Sequence, residues 1–211
     1  MGLAREIVLT GLFDRSIPVS ETDLTTPRET SFSEPIQILV VSASLAEESR
    51  SKQLSQHAVD HLKGRSIQVR HESLQAYTIL PYGMDGSEGL DELRAAFDEA
   101  DGIIFSFPVY NYNMNASLKA AIEHFGFSLR DKVIGLIMSA AGQASYMTGQ
   151  VVASGLSLDF RSWVVPRFVY ATREAFDDNG VSDPEVAGRI DDLAWTVYEK
   201  AWQHRQTPPG A

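Results

Sequence analysis

Apolar runs and helical patterns alternate along this chain in a regular order. Residues 36–41 form an almost continuous apolar run, which is typical of a parallel strand that is buried on both faces. Leu54, Ala58 and Leu62 follow at the spacing of one helix face. Further strand patterns, each separated from the next by a helical or loop segment, lie over 67–70, 103–107, 133–138 and 163–170. This alternation predicts a parallel sheet with helices on both faces.

Five strands in this rhythm predict an α/β fold of the flavodoxin-like type, a three-layer sandwich around a five-stranded parallel sheet of order 2-1-3-4-5. We expect one domain over residues 35–205, followed by a flexible tail over 206–211. Residues 16–35 are rich in Ser, Thr, Pro and Glu and have no period of a packed element. Residues 1–34 are therefore expected to form an N-terminal extension, either an arm that clasps an oligomer or a partly disordered tail.

Composition and charge limit the classes of function. The chain of 211 residues has a formal net charge of −10, which argues against a nucleic-acid partner and requires any phosphate site to be built locally from backbone N–H groups. It has no cysteine, which excludes disulfides and thiolate metal sites and fits a cytoplasmic location. No apolar stretch approaches the roughly 18 to 20 residues of a membrane span, and Met1–Leu12 makes a poor signal peptide.

The segment that follows the first predicted strand is rich in small hydroxyl residues and leads into a helix. A helix N-terminus carries unpaired N–H donors and a partial positive charge, so it suits a phosphate group. The candidate phosphate-binding residues of this segment are Ser42, Ser44, Ser49, Arg50 and Ser51. An ordinary serine-capped helix is the alternative interpretation. The glycine patterns of dinucleotide-binding and nucleotide-triphosphate loops are absent from the sequence.

The segment after the third predicted strand combines two tyrosines with three asparagines. Tyrosine offers a flat apolar face with a polar tip, and asparagine offers both donors and acceptors, which are features that the isoalloxazine ring of a flavin requires. An asparagine-rich turn is the alternative. The candidate ring-binding residues here are Pro108, Val109, Tyr110, Asn111 and Tyr112.

Small residues follow the fourth predicted strand. Small side chains let the backbone approach a planar ligand closely, and free N–H groups can then reach its carbonyl oxygens. The candidate residues of this third loop are Ser139, Ala140, Ala141 and Gly142.

Together the three loops resemble those of the NADPH-dependent FMN reductase family of flavodoxin-like proteins, which includes quinone, azo and chromate reductases. The resemblance covers Ile36 to Trp202. Its phosphate loop matches at Ser44, Ser49 and Ser51. Its flavin loop matches the segments Pro108-Val109-Tyr110-Asn111 and Leu118-Lys119-Ala120-Ala121-Ile122, and its third loop matches Ser139 and Gly142.

The chain also departs from the family pattern at four places. Ala43 replaces a glycine, Ala46 an arginine and Val109 a glutamate, and Asn115-Ala116 replaces Pro-Gly. The missing arginine bears on the preference for NADPH over NADH. The missing glutamate makes the predicted pocket more apolar, which suits an organic substrate.

The resemblance implies an FMN-dependent oxidoreductase that takes a hydride from NADPH or NADH and passes electrons to a flavin, a quinone or another small acceptor. It also implies a homodimer or homotetramer. Two alternatives stay open, an FMN enzyme specific for one metabolite and a flavoprotein electron carrier. Flavin chemistry needs no side-chain acid or base, so no catalytic residue is predicted. No metal site is predicted either, because a solvated helix face explains the spacing of His57 and His61.

Overall fold

The apolar runs form strands of one sheet, and the helical patterns between them form helices, over the residues that the computed structural model describes, 35–63 and 67–206. The strands are β1 (Ile36–Ser42), β2 (Ile67–Ser73), β3 (Gly102–Tyr110), β4 (Asn113–Met114), β5 (Val133–Ser139), β6 (Trp163–Val164), β7 (Val169–Ala171), β8 (Phe176–Asp177) and β9 (Gly180–Val181). The helices are α1 (Arg50–Leu62), α2 (Leu90–Glu99), α3 (Ala116–Phe125), α4 (Thr148–Phe160) and α5 (Pro184–Gln206).

The main sheet has the predicted order, β2-β1-β3-β5, and its far edge is shared by β6 and β7, which both pair with β5. These pairings are parallel, so the predicted flavodoxin-like α/β class is confirmed. The sheet has seven strands rather than five. One reason is that the fifth predicted strand is interrupted around Pro166, since proline has no N–H to donate to a ladder. The other is that the chain turns back after β3 and adds β4 antiparallel to it.

The apolar run of β1 is explained by burial on both of its faces. Leu39 and Val41 belong to the apolar layer under α2, α3 and α4, whereas Ile38 and Val40 belong to the layer under α1 and α5. All four side chains are at most 1% exposed. Burying each of them contributes about 1.5–3 kcal/mol relative to leaving it in water.

The strand register brings the carboxyl ends of three strands together. Ser42 at the end of β1 lies opposite Ser106 of β3, and Pro108 of β3 lies opposite Ser139 at the end of β5. The loops that follow β1, β3 and β5 therefore leave the sheet at one edge, which is where ligands bind in open α/β sheets.

The predicted domain boundaries, 35 and 205, stay predictions. Helix α5 is capped by Asp183, whose Oδ1 accepts hydrogen bonds from the N–H groups of Glu185 at 2.8 Å and Val186 at 3.2 Å. It continues through Gln206, the first residue of the predicted tail. The predicted N-terminal extension over 1–34 and the remaining tail residues, 207–211, lie outside the described residues.

The two histidines of α1 do not form the solvated face that their spacing predicts. His57 Nε2 and His61 Nδ1 each lie 3.0 Å from Oδ1 of Asp191 on α5, and their side chains are 30% and 21% exposed. The packing of α1 against α5 turns both rings toward one carboxylate. Across residues 35–63 and 67–206, no group of three or more potential ligands is arranged to hold a metal ion. None of the described helices is long and apolar enough to cross a membrane.

Candidate functional site

A cavity of about 660 Å³ opens at the carboxyl ends of the strands, within the size range of small-molecule sites. Its wall is built from the loops after β1, β5 and β7, the carboxyl ends of β3 and β5, the first turn of α1, and β8 with the residue that follows it. The lining residues are Ser44, Ala46, Glu48, Ser49, Arg50, Gln53, Pro108, Val109, Tyr110, Ser139, Ala140, Ala141, Arg173, Phe176, Asp177 and Asp178. The three predicted loops thus meet at a single cavity.

The loop after β1 presents the N-terminus of α1 to this cavity. Ser49 is the N-cap residue, yet its side chain makes no capping hydrogen bond, and its Oγ lies 2.8 Å from Oγ of Ser51 instead. The first turn contains no acidic residue, so the partial positive charge of this 13-residue helix is not neutralised from within it. The ordinary serine-capped helix is therefore not what forms, and the first N–H groups of α1 are left for another acceptor.

Two predicted phosphate residues lie behind the loop rather than on the cavity wall. Ser42 and Ser51 are fully buried, and neither lines the cavity. The backbone carbonyl oxygen of Ser51 accepts a hydrogen bond from Ser106 Oγ at 2.7 Å, which ties α1 to β3. Ser44 and Ser49 do line the cavity, and Ser44 Oγ accepts a hydrogen bond from the N–H of Ala46 at 3.3 Å. Ser42 and Ser51 can act on a ligand only through the loop that they support.

The loop after β3 is a tight hairpin. Asn111 and Tyr112 connect β3 to β4, and both have positive φ angles, 51° and 60°, as the two central residues of a type I′ turn require. Tyr110 lines the cavity, whereas Asn111 and Tyr112 lie at the tip of the hairpin, outside the lining. The asparagine-rich turn therefore accounts for these two residues, and their contact with a ligand stays a prediction.

Asn115 joins this hairpin to the loop after β1. Its Nδ2 donates hydrogen bonds to the carbonyl oxygen of Ala43 at 2.7 Å and to Oγ of Ser117 at 2.6 Å. Ser117 Oγ also donates to the carbonyl oxygen of Ala43, at 2.6 Å. The Oδ1 of Asn115 is buried without a hydrogen-bond partner. The asparagine that replaces proline in the family pattern thus fixes the position of the first loop.

The loop after β5 contributes Ser139, Ala140 and Ala141 to the cavity, but not Gly142. The carbonyl oxygen of Gly142 accepts a hydrogen bond from the hydroxyl of Tyr170 on β7, which holds the loop down on the sheet. The φ angle of Gly142 is −161°, and a Cβ atom there would meet no atom within 4 Å. The fold itself therefore does not require glycine at position 142.

The sequence pattern did not reveal a fourth segment of the site. Residues that line the cavity outside the predicted set are Ala46, Glu48, Gln53, Arg173, Phe176, Asp177 and Asp178. The last four belong to the segment after β7, in which β8 and β9 form a hairpin that packs against α1. The Asn-Gly pair at positions 179–180 is a hairpin signal directly after the fifth strand, and it could have identified this segment.

Charged groups concentrate on the side of the cavity that faces α1. Arg50 Cζ lies 5.8 Å from the centre of the Phe176 ring, and Arg173 lines the same wall. The pKa of the neighbouring Glu174 is lowered, first by the hydrogen bond from Thr172, then by its own backbone N–H, and further by the charges of Arg173 and Arg50. Both guanidinium groups therefore act on the same region. The opposite side of the cavity, formed by the ends of β3 and β5 and by the loop after β5, carries no charged residue.

Comparison with known proteins gives results that agree with this geometry. The chain is 29% identical over 105 residues to the NAD(P)H-dependent FAD/FMN reductase of Geobacillus thermodenitrificans (strain NG80-2), a match that covers 49% of this chain and 57% of that protein. The chain thus spans little more than half the length of this curated relative.

Solved structures share the fold. An NADH:FMN oxidoreductase in its apo form superposes with a TM-score of 0.68 at 21% identity, covering 78% of this chain and 89% of its own. A flavodoxin from the domain Archaea superposes with a TM-score of 0.57 at 14% identity, and the match covers 79% of this chain and 99% of the flavodoxin. At these identities the likeness shows the flavodoxin-like fold alone.

The model of one protein family, NADPH-dependent FMN reductase, matches residues 36–177, which is more than half of the chain. This match confirms the family that the three loops indicate. On this evidence the chain belongs to the NADPH-dependent FMN reductase family.

Proposed function

We propose that this chain binds FMN in the cavity at the carboxyl ends of its strands and reduces a small acceptor, such as a flavin or a quinone, with electrons from NADPH or NADH. The observation that carries the proposal is the pairing of two features in one cavity. An uncapped helix N-terminus forms one side, and a wall of small and aromatic residues without charge forms the other. A ligand with a phosphate at one end and a planar ring at the other suits both sides.

The donor set on the helix side fits a phosphate group. Ser44 and Ser49 place hydroxyl groups on the cavity wall, and Arg50 of the first turn of α1 lines the same cavity, so we expect the first N–H groups of α1 to face it. Arg50 adds a positive charge that the Phe176 ring helps to position. We expect these groups to hold the phosphate, with Ser42 and Ser51 supporting the loop from behind.

The residues on the other side fit a flavin ring. Pro108, Val109 and Tyr110 end β3, and Ala140 and Ala141 follow β5, so both loops offer apolar surface together with backbone polar groups. Tyr110 is 59% exposed and leaves its ring face open to a planar partner. Asn111, Tyr112, Ser139 and Gly142 complete the proposed set of cofactor-binding residues.

FMN, when bound, supplies the redox chemistry by accepting a hydride and passing electrons onward. The chain then has to orient its ligands and exclude water. We therefore propose binding residues and assign no catalytic side chain.

Two alternatives are distinguished by the acceptor. Val109 is half-buried at the ring side and offers apolar surface there, which favours a flavoenzyme that acts on one organic metabolite. An electron carrier would bind FMN without a nicotinamide site. Turnover of NADPH or NADH with a quinone excludes the carrier, whereas failure with every generic acceptor, despite bound FMN, favours the metabolite-specific enzyme.

We also propose that the chain forms a homodimer or homotetramer in the cytoplasm. Helix α4 supports the oligomer, because its outer face carries Val151 at 53% and Leu158 at 85% exposure. Between Thr148 and Leu158 this helix has no charged residue, although surface helices of monomers normally carry charges on the solvent side.

The test of the proposed function is an absorbance spectrum of the purified chain after addition of FMN and removal of the excess. We expect retained flavin bands that bleach when NADPH or NADH is added without oxygen. Retained bands that do not bleach with either nucleotide would contradict the proposed electron donor. Loss of all flavin on removal of the excess would contradict a tightly bound FMN.

A further inference from the structure

We propose that Arg173, in the segment after β7, supplies a positive charge to the phosphate of the bound FMN. The phosphate site is then built from two segments more than a hundred residues apart in sequence, the loop after β1 and the β7–β8 connection. This inference rests on the proposed function, because it requires FMN in the cavity with its phosphate at the N-terminus of α1.

The fold brings Arg173 to the phosphate side of the cavity. The β8–β9 hairpin packs against α1, and Arg173 lines the same cavity as Ser44, Ser49 and Arg50. Phe176, three residues further along the chain, contacts the guanidinium group of Arg50. The segment after β7 therefore lies beside the N-terminus of α1, on the same side of the cavity.

The guanidinium group of Arg173 is available for a ligand. Its side chain is exposed, and within residues 35–63 and 67–206 it forms no hydrogen bond or ion pair. Other arginines of the chain are engaged: Arg161 pairs with Asp131, and Arg205 pairs with Asp101. An arginine without a partner on the wall of a ligand-sized cavity is placed to bind an anion from that cavity.

The local charge makes this contribution necessary. Residues 42–49, the loop after β1, contain no cation and include Glu47 and Glu48. The cavity wall adds Asp177 and Asp178, and the whole chain carries a net charge of −10. A helix N-terminus provides only about half an elementary charge. The single positive charge of Arg50 does not compensate for these four carboxylates and a phosphate dianion. Arg173 is the second guanidinium group on the cavity wall.

The experiment compares FMN with riboflavin, which has the same ring and ribityl chain but no phosphate. Dissociation constants are measured by quenching of flavin fluorescence on the full chain and on Arg173→Gln. We expect Arg173→Gln to weaken FMN binding about tenfold, as for an exposed charge-assisted contact, and to leave riboflavin binding unchanged. We also expect the affinity of the variant for FMN to depend less steeply on salt concentration.

Two control variants separate charge from structure. Arg173→Lys keeps the charge and should retain most of the FMN affinity. Arg167→Gln removes an arginine that is also exposed but does not line the cavity, and this variant should bind both flavins like the wild type.

The inference is overturned if Arg173→Gln binds FMN as tightly as the wild type. It is also overturned if the variant loses FMN and riboflavin affinity by the same factor, since Arg173 would then not act on the phosphate. Wild-type protein that binds neither flavin contradicts the proposed function itself, and the inference falls with it.

Discussion

The side-chain amide of Asn115 donates a hydrogen bond of 2.7 Å to the carbonyl oxygen of Ala43, 72 residues earlier in the chain. Ser117 donates a second hydrogen bond to the same oxygen. The loop that offers the helix N-terminus is thus locked to the hairpin that offers Tyr110. Loops held in this way are positioned before a ligand arrives, which reduces the entropy lost on binding.

Substitutions at Asn115 should separate the loss of a donor from the introduction of a repulsive acceptor. Asn115→Asp places a carboxylate next to the carbonyl oxygen of Ala43 in a buried position, and we expect it to lower the free energy of unfolding by about 2–3 kcal/mol. Asn115→Ala should lower the free energy of unfolding by only about 1 kcal/mol. The loss is smaller because this substitution removes the buried, unpartnered Oδ1 together with the donor. Urea denaturation measures both changes.

The matched control for this pair is Asn113→Ala, in the same hairpin but exposed. It should change the free energy of unfolding by less than about 0.5 kcal/mol. If Asn115→Asp were as stable as the wild type, the hydrogen bond to Ala43 would not hold the two loops together.

Two glycines of α4 should respond to alanine in opposite directions. A Cβ atom at Gly149 would lie 2.5 Å from the Phe168 ring and 2.8 Å from Cε of Met138, so Gly149→Ala should destabilise the protein by about 1–3 kcal/mol. A Cβ atom at Gly155 would meet no atom within 4 Å, and Gly155→Ala should stabilise the helix by about 0.5–1 kcal/mol. Thermal unfolding compares the two, and equal effects would show that Gly149 does not pack against Phe168 and Met138.

Tyr112 carries backbone strain that a glycine would relieve. Its φ angle of 60° lies in the left-handed region, which costs a residue with a Cβ atom about 1–2 kcal/mol. We expect Tyr112→Gly to raise the free energy of unfolding by about 1 kcal/mol. Asn111→Gly, at φ 51°, should raise it less, because asparagine tolerates this conformation.

The same two variants test a predicted ligand contact. If Tyr112 contacts FMN, Tyr112→Gly weakens FMN binding although the protein becomes more stable, and Asn111→Gly tests the proposed contact of Asn111 in the same way. An unchanged FMN dissociation constant in Tyr112→Gly would remove Tyr112 from the proposed set.

His71 should make the protein less stable in mild acid. Burial disfavours its charged form and lowers its pKa below the ordinary value of 6.5, although nearby Glu72 opposes this shift. As the pH falls through 6.5, the unfolded chain binds a proton at His71 that the folded chain does not bind. The free energy of unfolding therefore decreases below pH 6.5, whereas above pH 6.5 His71 does not change it.

Urea denaturation between about pH 8 and about pH 5 measures this effect. We expect the loss of stability in acid to be smaller in His71→Asn than in the wild type. His204→Asn, which alters an exposed histidine, should follow the wild-type profile. Parallel profiles for the wild type and His71→Asn would show that burial of His71 does not shift its pKa.

The parts of the fold that the sequence predicts are those determined by local pattern. Residues 36–41 indicate a strand that is buried on both faces, because every position except Gln37 is apolar. The three loops follow from the strand order, because the carboxyl ends of parallel strands meet at one edge. Ser44, Pro108 and Ser139 reach the cavity for this reason.

The parts that the sequence does not predict depend on contacts between distant segments. Arg173 and Phe176 enter the site only because the β8–β9 hairpin packs against α1. The position of Asn115 over Ala43 likewise depends on how two loops approach. The turn at Asn111 and Tyr112 lacks the glycine that normally marks positive φ, so its composition suggested a ligand contact instead.

A crystal structure of the chain grown with FMN tests the central claim most directly. We predict flavin density in the cavity, with the phosphate at the N-terminus of α1 beside Ser44 and Ser49 and the ring between residues 108–110 and 139–141. Flavin density at another site, or a cavity without flavin in a protein that binds FMN in solution, would contradict the account.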